Sequence, residues 1–280
     1  MGVFVYGSAP VIAHLRSRLL RAIAISGALA CLLEGCANPR VIESAVPGAP
    51  PAAPKAAPAV PGTPPVVAEA PPANAPPSCT AQWLARGHTN QPAAQAFARK
   101  CLDAQGAVDK QLDHKIVTRK VAALIDADTP LTALEPSDIG IFCPGYLRQD
   151  RQGRAAFWRT MIADLAAEES VNNTTAAFWE ADQDQYSIGL LQLSLADEQR
   201  YRCGFKSEVD ITDPTRNLTC GIKVVTMLVG ADGMIGGGKG HEMKGAGAYW
   251  QNLRQPSEVR DRLIAATRGI AQCQPDPRSS

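Results

Sequence analysis

The chain of 280 residues has almost no net charge: 28 Lys and Arg stand against 27 Asp and Glu, a formal +1. With no basic excess there is no electrostatic footprint for nucleic acid or for an acidic membrane surface, and the expected partner is uncharged or mixed in charge. No Cys-x-x-Cys pair occurs, and no cysteine lies at metal-ligand spacing with the four histidines, so neither a zinc site nor another cofactor is expected. The apolar run from Ala22 to Leu33 is too short to span a bilayer. Convincing strands of alternating apolar and polar residues are scarce, which leaves a mainly α fold as the expectation.

Proline is present but unevenly placed. Thirteen of the 22 prolines fall between Pro39 and Pro77, among Ala, Val and Gly, with almost no charge and no aromatic residue. Such a stretch has nothing to pack, so the folded part must be smaller than the chain. The 42 residues from 37 to 78 are expected to act as a tether. As polyproline II it would reach about 130 Å, and as a flexible coil roughly 35 Å. Either length suits a substrate lying off the membrane.

Before the tether, residues 1 to 36 carry basic Arg16, Arg18 and Arg21, the apolar run, and small residues before Cys36. This order reads as an export signal. Leu33-Glu34-Gly35-Cys36 resembles a bacterial lipobox, although Glu34 departs from the small or apolar residue usual there. The resemblance implies acylation of Cys36 and membrane attachment through an N-terminal lipid anchor, and Ala37 in place of Asp implies the outer membrane, facing the periplasm. Each buried acyl CH₂ adds about 0.8 kcal/mol, so several chains would hold the protein almost permanently. An ordinary cleaved signal with an incidental cysteine is the alternative.

Six cysteines follow: Cys79, Cys101, Cys143, Cys203, Cys220 and Cys273. An even number in an exported chain argues for disulfides. Six permit about 15 connectivities, and sequence does not choose among them. The pairing expected is Cys79 with Cys101, Cys203 with Cys220, and Cys143 with Cys273.

From Cys79 to about Asp126, apolar residues at helical spacing predict a small helical subdomain, taken as 79–141, with Asn90-Gln91-Pro92 marking a helix start. No chemistry is evident there. Residues 154–170 predict an amphipathic helix with Phe157, Trp158, Met161, Ile162 and Leu165 along one face. Glu168 and Glu169 fall on opposite margins of that face, and periodicity does not say which is half buried. Leu190–Leu195, Leu218–Val229 and Ser257–Ile270 also read as helices, and a polar loop is expected between the Glu169 helix and Ser187. A second domain is expected over 142–273, followed by a tail, 274–280.

One constellation carries chemistry. Glu169-Ser170 ends an apolar helix; Ser187-Ile188-Gly189-Leu190-Leu191-Gln192 follows, then Asp213-Pro214 with Asn217 and Gly221, then Ala248-Tyr249. In this order the motifs resemble the soluble lytic transglycosylase family, which shares a lysozyme-like fold with goose-type lysozymes, over roughly residues 142 to 254. Trp250 departs from the Asn that the family commonly has after the tyrosine. The cysteines and the Gly-rich stretch before Tyr249 are not general family features.

The resemblance implies a peptidoglycan lytic transglycosylase that cuts glycan strands between N-acetylmuramic acid and N-acetylglucosamine, with Glu169 as acid and then base and a 1,6-anhydro sugar as product. It implies that Ser187, Gly189, Leu190, Gln192 and Tyr249 line the sugar groove, with Tyr249 reaching the catalytic carboxyl. The residue types fit that chemistry. A glutamate donates a proton at neutral pH only if burial raises its pKa from about 4.3 towards 6 or 7. Gly189 offers close main-chain approach, and Gln192 both a donor and an acceptor. Taken singly these are a surface acid, a turn glycine, a solvated glutamine and a core tyrosine.

Two other readings stay open: a non-catalytic peptidoglycan-binding lipoprotein, and a lysozyme-type hydrolase in which a second carboxylate activates water. Among Glu180, Asp182 and Asp184, Glu180 is the candidate, because it follows Phe178-Trp179. Gly233 to Lys239 nearly matches a phosphate loop but lacks its Ser or Thr, and His241-Glu242 lacks the second histidine of a zinc helix. Asn172-Asn173-Thr174 and Asn217-Leu218-Thr219 match glycosylation acceptors that matter only in a eukaryotic host.

Overall fold

The computed structural model describes residues 76–87, 90–238, 240 and 243–275. The signal with Cys36 and nearly all of the tether lie outside the described residues, as do Lys239, His241 and Glu242. Contacts divide the chain into two units, Met1–Thr63 and Pro64–Ser280. All described residues belong to the second.

That unit is mainly helical, as expected. Most of its longer helices begin where a short polar side chain takes up free N–H groups of the first turn. Ser78 caps α1 (Cys79–Leu84), Asn90 caps α2 (Gln91–Ala104) and Asp113 caps α3 (His114–Leu124). A short α4 (Ile139–Phe142) precedes α5 (Arg151–Ser170), capped by Asp150. At 20 residues α5 runs about 30 Å. Its apolar face is wider than an amphipathic reading allows. Ala155, Ala163 and Ala166 are buried along with Phe157, Trp158, Met161, Ile162 and Leu165, because α3 and α9 (Glu258–Arg268) both pack on it. Trp158 donates from Nε1 to the Tyr146 hydroxyl at 2.8 Å, which keeps its one polar atom satisfied inside the core.

After α5 the expected polar loop is instead a hairpin. β1 (Ala177–Glu180) pairs antiparallel with β2 (Gln185–Ile188), Trp179 opposite Tyr186 and Phe178 opposite Ser187. Alternation sends Trp179 and Tyr186 into the core against α1 and α2, and leaves Phe178, Glu180 and Ser187 on the other face. Glu180 therefore lies on a strand, while Asp182 and Asp184 lie in the exposed turn.

The helix expected over Leu190–Leu195 is absent. Gly189 (φ 77°) and Gln192 (φ 50°) both take left-handed backbone, and Ile188 bridges Leu193, so the segment is a tight turn. Asn217 dictates this from α8 (Pro214–Asp232). Its side chain accepts from Leu191 N at 2.9 Å and donates to the carbonyls of Ile188 and Ile211. Gly221, one turn further on, leaves the space that Leu191 fills. Asp213 caps α8 and Pro214 is its first residue, the pairing the sequence showed. Two short helices, α6 (Asp197–Tyr201) and α7 (Glu208–Thr212), connect the turn to α8.

Three disulfides join Cys79 to Cys101, Cys143 to Cys273 and Cys203 to Cys220, the pairing expected. They fit an exported chain in an oxidising compartment. Among the described residues no helix is long and apolar enough to cross a membrane.

Candidate active site

Glu168 and Glu169 part company at the end of α5. Glu168 makes a two-pronged ion pair with Arg262 of α9, at 2.8 Å from Nε and 2.6 Å from Nη2. Glu169, half-buried on the other margin, accepts from Asn252 Nδ2 at 2.9 Å. The helix ends just beyond, in a run of left-handed backbone at Val171 (φ 54°) and Asn172 (φ 61°). The segment from residue 108 to 112 secures that exit: Leu112 donates to Asn172 O at 3.0 Å, and Thr174 to Lys110 O at 3.0 Å.

Tyr249 and Asn252 lie on one stretch built of two 3₁₀ turns, Gly245–Ala248 and Gln251–Leu253. Tyr249 does not reach Glu169. Its hydroxyl donates to Asp197 Oδ2 at 2.5 Å and lies 3.4 Å from the Gln192 carbonyl. The amide of Asn252, three residues on, holds Glu169 in its place. Trp250, the residue at odds with the family pattern, donates from Nε1 to Leu191 O at 2.9 Å and so fastens the turn to this stretch.

Glu180 stands across the hairpin face. Ser187 donates from Oγ to Glu180 Oε1 at 3.0 Å. Burial pushes the Glu180 carboxyl above its ordinary value, helped by Asp182 and opposed by the Ser187 hydrogen bond. Burial also raises Asp197, against the pull of Tyr249 and Ser194. Tyr249 is pushed well up, by burial first and then by Asp197, with a further contribution from Glu180.

The remaining residues named from the sequence are drawn into the walls. Gln192 uses both amide hydrogens on carbonyls, those of Ala176 at 3.1 Å and Gly189 at 2.8 Å, so its side chain braces the turn. Leu190 is fully buried and belongs to the core rather than the groove. Gly189 lacks a Cβ for a different reason from sugar approach. A Cβ there would stand 2.6 Å from Asn217 Nδ2 and 2.9 Å from Ile211 O.

Asn252 and Asp197 escaped the sequence reading. Asp197 had a signal: Ser194-x-x-Asp197 has capping-box spacing, and Asp197 Oδ2 does accept from Ser194 N at 2.7 Å. Asn252 had none beyond its nearness to Tyr249. A separate cavity of about 390 Å³, lined by Asp138, Ile141, Met234 and glycines, contains none of these residues. The two Asp138 oxygens accept from the N–H groups of Ile235 and Gly236, so this carboxylate holds the neighbouring loop.

No family model matches the chain, and no curated protein matches it. Its fold is similar to that of Bd0314 DslA. The wild-type structure of that protein aligns with a TM-score of 0.52 and 29% identity, over 57% of this chain and 92% of the other. Two glutamate-to-glutamine mutants of Bd0314 DslA align with the same TM-score and coverage at 28% identity.

Proposed function

We propose that this protein cleaves the glycosidic bond between N-acetylmuramic acid and N-acetylglucosamine in peptidoglycan glycan strands, with Glu169 as proton donor. The observation that carries the reading is a half-buried Glu169 at the end of an apolar helix, held by the amide of Asn252. Bond cleavage needs a proton on the leaving oxygen as the anomeric carbon becomes oxocarbenium-like, and a carboxyl held in one rotamer beside apolar walls supplies it. In the lytic transglycosylase course the same carboxylate then takes a proton from the muramyl C6 hydroxyl, which closes a 1,6-anhydro ring without water. The lipid anchor at Cys36 and an outer-membrane site facing the periplasm belong to this reading, with the tether carrying the enzyme to the wall.

A second course, hydrolysis, is favoured by a specific observation. Glu180 is a second, partly buried carboxylate, and it is oriented by Ser187, as a base acting on water must be. In Bd0314 DslA the two glutamates exchanged for glutamine lie eleven positions apart. Glu169 and Glu180 have the same separation.

Digestion of sacculi by the full chain, followed by mass analysis of the muropeptides, tests the reading. Release is expected, and Glu169→Gln is expected to lower it by about 10²–10⁴-fold with an unchanged circular dichroism spectrum. Anhydro ends identify the transglycosylase course, and reducing ends the hydrolytic one, in which Glu180→Gln also stops release. Binding to sacculi with no release would leave a non-catalytic wall-binding protein instead.

A further inference from the structure

The helices before residue 105, which show no chemistry of their own, hold the hairpin at one particular pair of residues. In a two-stranded sheet each strand has a free outer edge, where every second residue points its N–H and C=O away from its partner. At the Trp179–Tyr186 pair both outer edges are taken up by side chains of the helical segment. Gln91, the first residue of α2, donates from Nε2 to Trp179 O, and its Oε1 accepts from Trp179 N at 3.3 Å. One primary amide thus serves both main-chain groups of one residue, as a third strand would. On the opposite edge Tyr186 N donates to Thr80 Oγ1 at 3.3 Å, and Thr80 in turn donates to Glu208 Oε1 at 2.5 Å.

The fixed pair is backed by packing. Trp179 and Tyr186 meet edge to face at 5.0 Å, Trp83 of α1 meets Trp179 at 6.4 Å, and the Tyr186 hydroxyl donates to Ala94 O at 2.9 Å. The next residues along the two strands are Glu180 and Ser187, whose side chains are joined on the other face. A shift of the strand at Trp179 moves the Glu180 carboxyl with it, since the two share a peptide unit.

We infer that Gln91 is a positioning residue for Glu180: its amide sets where β1 lies and so where the second carboxylate stands relative to Glu169. The inference rests on the reading of this space as a glycan-cleaving site in its kinetic part only. The placement of Glu180 can be measured without any turnover. The Glu180 carboxyl is partly buried, and loosening β1 lets water reach it.

The test compares the full-length wild type with Gln91→Ala and Gln91→Glu. Glutamate at 91 keeps an acceptor for Trp179 N, but when ionised it puts a negative oxygen against Trp179 O. The titration of Glu180 is followed by carbon NMR of its carboxyl, with Asp182 and Tyr249 as the neighbouring titratable groups, alongside melting temperature and sacculus turnover. In Gln91→Ala the Glu180 titration is expected to fall back towards the ordinary carboxylate range, and in Gln91→Glu it is expected to move as well, the added negative charge opposing that fall. The melting temperature should stay within a few degrees of wild type, and kcat should drop about tenfold or more at similar KM. An unmoved Glu180 titration in both variants overturns the inference, and so does a kcat loss that merely follows the loss of folded protein. Turnover absent in wild type while the Glu180 titration still shifts would defeat the glycan-cleaving reading and leave the positioning role standing.

Discussion

Val171 follows the Glu169 helix in left-handed backbone, at φ 54° and ψ 31°, and the residue is 74% exposed. A β-branched residue crowds its own carbonyl there, at a cost of about 1–2 kcal/mol. Glycine has no such clash, although it gives up more chain entropy on folding. Val171→Gly is therefore expected to raise stability by about 1 kcal/mol and the melting temperature by about 2–4 °C, read by differential scanning calorimetry. At the same scale, Glu180 tests its own burial. Burial lifts its carboxyl above the ordinary glutamate range, so the folded protein binds the proton more tightly than the unfolded chain does. Below both values burial of the neutral acid carries no charge penalty. As pH rises from the unfolded value through the raised folded one, wild type loses stability that a glutamine would keep. Glu180→Gln should therefore melt close to wild type at about pH 4 and higher than wild type at about pH 7, by on the order of 1–2 °C. An equal difference at both pH values would show that the carboxyl is not desolvated.

Among elements, the turn from Gly189 to Leu193 shows where a local reading stops. Its residues are apolar enough for a short helix, and the expectation of one over Leu190–Leu195 followed from that. The structure makes a turn because Asn217, 26 residues further on, claims Leu191 N for its own carbonyl oxygen. Asn217→Ala leaves that N–H and the carbonyls of Ile188 and Ile211 short of partners inside the core. The expected cost is about 3 kcal/mol, a fall of about 6–12 °C in melting temperature, and a loss under about 1 kcal/mol would refute the role given to Asn217. The hairpin was missed for a related reason. β1 and β2 have four residues each, and their alternation is masked because Trp179 and Tyr186 are buried by α1 and α2 rather than by anything near them in sequence. The long helices were legible as elements, since α5, α8 and α9 each run several turns of pattern, although α5 was read only from residue 154 and α8 only from Leu218.

In the molecule as a whole the disulfides act at different reaches. Cys143–Cys273 closes 130 residues, Cys79–Cys101 closes 22 and Cys203–Cys220 closes 17. If a cross-link works chiefly by limiting the unfolded chain, the long one contributes about 5 kcal/mol and the shortest about 3. Urea denaturation of the double alanine variants checks this: losing Cys143 and Cys273 should lower the midpoint more than losing Cys203 and Cys220.

Sequence by itself determined the helical class, the capped start of α2, the Pro-rich composition that sets residues 37–78 apart, and the order of motifs that drew attention to Glu169. Those features depend on residues within a few positions of one another, or on composition. Only tertiary structure decided that Glu168 goes to Arg262 and Glu169 to Asn252, that Tyr249 serves Asp197, and that Glu180 rides on a strand clamped by Gln91. Each of those outcomes is a hydrogen bond between groups 52 to 94 residues apart, formed by whichever partner the packed helices bring within about 3 Å. No periodicity records such a meeting in advance.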